Sequence, residues 1–196
     1  MVDIQLIHGD CLEVMRDFDR RQFNAVVTDP PYPDYHVEEF TQTPITWLDD
    51  WEQRQIVFWS AKCEFPLSYS AIHIWDKKTG CGSMYERIFE RNGGKAYRVF
   101  RHYLINSTVA ASYTGDKFTG HKSQKPISLM VELLEKFTNE GDTVLDPFLG
   151  SGTTAVACAQ TGRNCVGIEI DKDYYDIACQ RVAEAQAQMR LPLEEL

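Results

Sequence analysis

No stretch of this chain is apolar for long enough to cross a bilayer, so a membrane-spanning role is not expected. No Cys-x-x-Cys pair occurs. The six cysteines, Cys11, Cys63, Cys81, Cys158, Cys165 and Cys179, are scattered. That pattern argues against a disulfide framework and a zinc site, and for reduced thiols in a cytoplasmic setting. Met1, Val2, Asp3 and Ile4 carry no basic stretch or cleavage signature, so no signal peptide is expected. Internal repeats and low-complexity tracts are absent too, which excludes solenoids and disordered linkers. What remains is 196 residues with 43% hydrophobic content, enough for one domain over residues 1–196 with a sizeable core.

The net charge of −9 argues at first against a nucleic-acid partner. Its distribution argues the other way. Between Asp76 and Lys125 stand ten Lys/Arg and four Asp/Glu, a balance of +6, while the other 146 residues carry −15. A basic segment on an acidic body is the footprint of a phosphate-binding face. Lys77, Lys78, Arg87, Arg91, Lys117 and Lys122 are its candidate DNA contacts. The competing reading is local pairing, in which Glu86, Arg87, Glu90 and Arg91 neutralise one another on a helix face.

The most informative short stretch is Asp29-Pro30-Pro31-Tyr32. Residues 24–28, Asn-Ala-Val-Val-Thr, read as a buried strand ahead of it, and Pro33 ends any ladder. A carboxylate, two rigid prolines and a ring therefore stand just past a strand's carboxyl end, where open parallel sheets bind ligands. The prolines restrict φ and hold Asp29 and Tyr32 with little freedom. One acceptor and one flat ring suit a planar, amino-bearing substrate such as a base. Taken alone, the same residues also read as a proline-rich surface turn.

Along the chain, residues 5–8 read as a strand, 11–18 as a short helix and 33–46 as a loop beside the site. Residues 47–63 read as a helix with Trp47 and Trp51 one turn apart. Residues 71–75 read as a strand, 83–91 as a helix closed by Asn92-Gly93-Gly94, and 97–112 as two strands bent near Asn106-Ser107. Pro126 suits the first turn of a helix whose Ile127, Met130, Leu134 and Phe137 share one face. Lys125, in the run His121-Lys122-Ser123-Gln124-Lys125-Pro126, then sits at a helix N-terminus, a place that favours an anion.

Residues 143–162 read as strand, glycine turn and helix. Gly150 and Gly152 permit a sharp turn and close approach of a ligand. The dinucleotide spacing is incomplete and the P-loop lysine is missing, so neither nucleotide fingerprint fits. The next strand, 165–170, carries Glu169, 17 residues after Gly152, near the spacing at which an acid meets ribose hydroxyls. That half-site suits an adenosine without a pyrophosphate. A last helix covers 171–188.

Asp-Pro-Pro-Tyr early, Gln-Lys-Pro in the middle and Asp-Pro-Phe-Leu-Gly-Ser-Gly-Thr-Thr late resemble the amino-group DNA methyltransferases. Their order, catalytic motif ahead of cofactor motif, resembles the permuted β class. The resemblance runs from Gly9-Asp10 to the last helix. It implies an α/β fold: a mostly parallel seven-stranded sheet with helices on both faces and an antiparallel edge hairpin, for which residues 97–112 are the candidate.

It implies S-adenosylmethionine as cofactor, with Asp10, Cys11, Asp29, Lys125, Asp146, Phe148, Gly150, Ser151, Gly152, Thr153, Glu169 and Ile170 as its contacts. Among these, Glu169 would hold the ribose hydroxyls, Asp10 would sit by the adenine and Lys125 near the methionine carboxylate. Asp29, Pro30, Pro31 and Tyr32 would form the catalytic pocket for a flipped base in double-stranded DNA. No metal and no membrane partner are implied.

Asp at the first motif position is usual in that family for N6 of adenine, with N4 of cytosine the alternative. The absence of a Pro-Cys pair argues against ring-carbon cytosine chemistry. RNA or protein-amide methylation is a further alternative, disfavoured because Asn-Pro-Pro-Tyr is commoner there. An inactive cofactor-binding subunit is disfavoured because the motif residues are intact. Restriction systems or phages in a prokaryotic cytoplasm are the expected setting.

Relatives often insert a large target-recognition region. Here only residues 76–120 are available for one. A homodimer, a second specificity subunit or weak sequence selectivity is therefore expected. Sedimentation checks this: a monomer that methylates one defined DNA site of about four base pairs or more contradicts it.

Overall fold

A computed structural model describes residues 2–33, 45–78, 84–105, 108–112, 114–120 and 123–189. Eight strands form one sheet in it: β1 (Ile4–His8), β2 (Ala25–Thr28), β3 (Arg54–Trp59), β4 (Ala71–Asp76), β5 (Tyr85–Arg91), β6 (Val99–Arg101), β7 (Thr143–Asp146) and β8 (Asn164–Glu169). Their order across the sheet is β1-β8-β7-β2-β3-β5-β4-β6. Every pairing is parallel except those of β5, which runs against both β3 and β4.

Side chains alternate between two buried faces. Val27, Ile56, Phe58, Trp75, Ile88 and Val144 face one side, and Val26, Val57, Trp59, Phe89 and Leu145 face the other. Burial on both faces explains why β2, β3 and β7 read as near-continuous apolar runs. The first face is covered by α3 (Ile127–Phe137), α4 (Thr153–Thr161) and α5 (Lys172–Gln188). The second is covered by α1 (Cys11–Val14), the single-turn helix Thr46–Asp50 and aromatic loops. The five-residue α2 (Thr108–Ser112) lies between β6 and α3 in sequence. No helix among the described residues is long and apolar enough to cross a membrane. Five of the six cysteines are free thiols and Cys81 lies outside the described residues.

Several sequence expectations are corrected. Residues 47–63 are not a helix: one turn at Thr46–Asp50 precedes β3. The run Ile56-Val57-Phe58-Trp59 is β-branched and aromatic, and that preference prevails over the tryptophan spacing. The tryptophans still meet edge to face, with centroids 6.1 Å apart. Gln55 ties the turn to the strand by donating to the carbonyls of Leu48 (2.8 Å) and Trp51 (2.7 Å).

Residues 83–91 are not a helix either. They include β5, a central strand, and its charges are partnered across the sheet rather than along a helix. Glu90 is buried and accepts from His73 Nε2 at 3.1 Å and from the Gly94 amide at 2.8 Å. Arg91 pairs with Asp49 and donates to Gln55 Oε1 at 2.6 Å. The described residues of 97–112 hold one strand, β6, and the short α2, not two strands, and the expected bend at Asn106-Ser107 lies outside the described residues. The antiparallel hairpin is β4–β5, with β6 outside it, and the sheet has eight strands rather than seven. The expected loop at 33–46 lies largely outside the described residues.

Gly152 joins the glycine turn to α4 with φ +84°, and a Cβ there would meet the Ala178 Cβ at 2.8 Å. Gly141 has a similar φ of +86° with nothing within 4 Å. Gly152→Ala is expected to cost about 2 kcal/mol from crowding plus strain. Gly141→Ala carries the strain alone and should cost less. Urea unfolding midpoints check this; equal losses contradict the packing argument.

Candidate functional site

Four neighbouring strands each deliver an acid to the same edge of the sheet. Asp10 follows β1, Glu169 ends β8, Asp146 ends β7 and Asp29 follows β2. This is the carboxyl edge, where a parallel sheet opens a crevice. A cleft of about 370 Å³ occupies it. Its lining includes Asp29, Pro30, Pro31 and Tyr32 together with Phe148, Gly150, Ser151, Thr153, Glu169, Ile170, Asp10, Lys125 and Asp146. Both halves read from the sequence thus face a single space.

The acids are held by the turns they begin. Asp10 caps α1, accepting from the amides of Leu12 (2.8 Å) and Glu13 (3.3 Å). Glu169 Oε2 accepts from the Gly150 amide at 2.6 Å and Oε1 from the Asp171 amide at 2.8 Å, which ties β8 to the glycine turn. Burial pushes its carboxyl above the usual range, against those amide bonds. Asp146 accepts from the Phe148 amide and the Thr154 hydroxyl. Burial pushes its carboxyl up to about 7.

Asp29 accepts from two sides, from the Tyr32 hydroxyl on Oδ1 and from Lys125 Nζ on Oδ2. Burial raises the Asp29 carboxyl, the Lys125 ammonium lowers it, and the charge of Glu86 raises it again; the net direction is upward. Burial alone would lower the Lys125 ammonium, but Asp29 and Glu86 more than offset that and hold it above the lysine range. Lys125 also lies over the rings of Phe58 (5.0 Å) and Trp75 (5.8 Å). The Tyr32 ring meets Trp59 edge on, with centroids 5.6 Å apart.

Two expected cofactor contacts do not line the cleft. Cys11 points into the aromatic core, where burial raises its thiol to about 12. Gly152 packs against Ala178. Three expected DNA contacts are also corrected. Lys77 is buried against Glu86 at 2.6 Å. Arg87 donates to the carbonyls of Ser60 and Cys63, and Arg91 is buried beside Asp49. Partnered inside the fold, these three are not offered to phosphates. Lys78 is exposed over the Tyr103 ring, and Lys117 is exposed 3.8 Å from Glu184. Lys122 lies outside the described residues.

Sequence reasoning missed Thr28, Phe58, Met130, Tyr174 and Asp171, which line the cleft, and Glu86, which reaches Lys125 and Tyr32. No local signal marked Glu86: Tyr85, Ile88 and Phe89 stand at helical spacing, and the strand is fixed by its partners β3 and β4 across the sheet.

The residues present suit an adenosyl sulfonium ligand. The Thr28 hydroxyl is buried beside the cleft without a partner among the described residues, a polar atom left open at the site. Acids on four strand ends favour a cation, and Phe148 offers an apolar face.

Residues 51–180 match the model of the DNA methylase family N6_N4_Mtase. YubD of Escherichia coli K12 is 28% identical over 211 residues, covering 95% of this chain and 93% of that one. The type II methyltransferase M.ScaI of Streptomyces caespitosus is 25% identical over 253 residues, covering 95% and 83%. In fold, the chain resembles the M1.HpyAVI–SAM complex, with TM-score 0.63, 24% identity and coverage of 91% and 99%. It also resembles the cytosine-N4-specific PvuII DNA methyltransferase, with TM-score 0.67, 12% identity and coverage of 96% and 93%.

Asp146 generates a test of the site's electrostatics. Its folded carboxyl titrates near 7 against 3.8 for an unperturbed aspartate. Between those values the folded state holds a proton that the unfolded chain releases. The contribution is therefore full below about pH 4 and is lost as pH rises through about 7. Asp146→Asn cannot titrate, so its thermal midpoint should gain on the wild type across that window. A constant difference contradicts it.

Proposed function

The chain belongs to the N6-adenine/N4-cytosine DNA methylase family, and from that premise we propose that it methylates the exocyclic N6 amine of an adenine flipped out of double-stranded DNA. The observation that supports this best is the single cleft joining Asp29–Tyr32 to the glycine turn and Glu169. S-adenosylmethionine, when bound, supplies the methyl group from its sulfonium. Asp10, Asp146, Phe148, Gly150, Ser151, Thr153, Glu169 and Ile170 would hold it, with Glu169 facing the ribose hydroxyls.

The chain's own task is to make a poor nucleophile react. The lone pair of an exocyclic amine is delocalised into the ring. Asp29 and the Pro30 carbonyl accept its N–H hydrogens and favour the nitrogen as it becomes tetrahedral, so the gain falls in the transition state. The two prolines hold both acceptors still, and alignment supplies much of the remaining rate. The Tyr32 ring stacks on the extruded base, worth about 1–3 kcal/mol. Adenine is preferred over cytosine because Asp stands at position 29, where Ser is common in the N4-cytosine members.

Residues 76–120 are a short span for base readout, and β5, β6 and α2 occupy part of it. Specificity then rests on residues 33–46, 77–82 and 113–120, which the sequence reads as loops, or on a second subunit. Lys78, Lys117 and Lys122 are the remaining basic candidates for phosphate contact.

Tritiated cofactor and methylation-free DNA test the reading. Label should appear in N6-methyladenine and fall by about a hundredfold or more in Asp29→Ala. Label in N4-methylcytosine contradicts the base assignment. Label in RNA or protein alone, or nowhere, contradicts the function.

A further inference from the structure

Glu86 lies against the catalytic motif although it belongs to none of the chain's recognisable motifs. Strand direction explains how it gets there. β5 is the one strand that runs against its neighbours, so its first residues, not its last, reach the edge where the site lies. Glu86 pairs in register with Trp75 of β4. Lys77, just past the end of β4, holds it at 2.6 Å.

Asp29, Lys125, Glu86 and Lys77 form a connected group of two acids and two cations. Their side chains are 22%, 8%, 14% and 7% exposed, so water can replace few of these contacts. Two donors reach both acids. Lys125 Nζ bonds Asp29 Oδ2 and lies 3.4 Å from Glu86 Oε2. The Tyr32 hydroxyl bonds Asp29 Oδ1 and also lies 3.4 Å from Glu86 Oε2.

Both oxygens of Asp29 are therefore engaged by donors of the chain itself. A carboxylate oxygen can accept two hydrogen bonds, so a substrate N–H accepted there either shares the oxygen with the donor in place and weakens it, or displaces it. A displaced ammonium or hydroxyl at this depth is costly unless another acceptor stands ready. Glu86 Oε2 is within reach of both. Burial would raise the Glu86 carboxyl, but Lys125 and Lys77 hold it below the usual range, so it stays ionised and able to accept.

We propose that Glu86 is a positioning residue for methyl transfer: it takes over Lys125 and Tyr32 as the Asp29 carboxylate accepts from the target amine, while Lys77 holds it in place. This rests on the DNA methyltransferase reading above. The groups facing Asp29 are Tyr32 from its own loop, Lys125 from the segment before α3, Glu86 from β5 and Asp146 from β7. A purely structural ion pair joining β4 to β5 predicts different behaviour from a group that acts on Asp29.

The variants are Glu86→Gln and the charge-balanced Lys77→Met/Glu86→Gln, which leaves no unpaired buried cation at Lys77. Single-turnover label transfer from S-adenosylmethionine to methylation-free genomic DNA should slow by about a hundredfold in the folded double variant. Cofactor affinity by calorimetry should hold. Removing the charge that raises Asp29 should move the acid limb of the rate to lower pH. The ¹³C carboxyl titration of Asp29, which needs no substrate, should move the same way.

A folded variant with wild-type rate, an unmoved Asp29 titration, or a rate loss that only follows lost cofactor binding overturns the proposal. So does unfolding of the double variant, which would leave Glu86 a structural role. A wild type that labels no DNA overturns the proposed function instead, while the Asp29 titration still reads the effect of Glu86.

Discussion

The carboxylate of Asp29 is gripped from two directions, by the Tyr32 hydroxyl of its own turn and by the Lys125 ammonium from 96 residues away. That grip joins the middle of the sheet to the start of α3. It sets a buried acceptor at the end of β2, between rigid prolines and the floor of the cleft. Burial raises the Asp29 carboxyl even with a cation beside it. The site therefore keeps a strong hydrogen-bond acceptor in partly desolvated surroundings, where electrostatic help to a reacting amine is largest.

The sheet explains why the other parts meet there. β1, β8, β7 and β2 are parallel neighbours, so one direction of travel brings Asp10, Glu169, Asp146 and Asp29 to a common edge. Each acid is held by the backbone or hydroxyl groups of the turn that follows it, or by a neighbouring donor. The reversed strand adds Glu86 to the same edge from the far side. An acidic chain can in this way serve an anionic polymer: much of its negative charge at the site faces a cationic methyl donor or its own lysines.

What was legible in the sequence was local. Asp29–Tyr32, the glycine turn at 150–152 and Glu169 carry their meaning in adjacent residues, and the cleft unites them. α3 to α5 and the strands beside them were legible because their apolar spacing or caps lie within one window. What was not legible depends on partners far along the chain. The charges of β5 looked like a helix surface because their partners, at Asp49, Gln55, Ser60 and His73, lie 17 to 42 residues away. For the same reason Lys77, Arg87 and Arg91 counted as a basic face when they are internal cations. A charge sum along a segment does not distinguish the two cases. The pairing of Lys125 with Asp29 and Glu86 was hidden in the same way.

The central claim is that one cleft presents a methyl donor to the acceptors of Asp29-Pro30-Pro31-Tyr32. Nuclear Overhauser contacts from the ¹³C-methyl group of bound S-adenosylmethionine test it most directly. The account predicts contacts from that methyl to protons of Pro30, Pro31 or Tyr32, with the ribose protons near Glu169 and the adenine protons near Asp10. A bound methyl that touches none of residues 29–32 would contradict it.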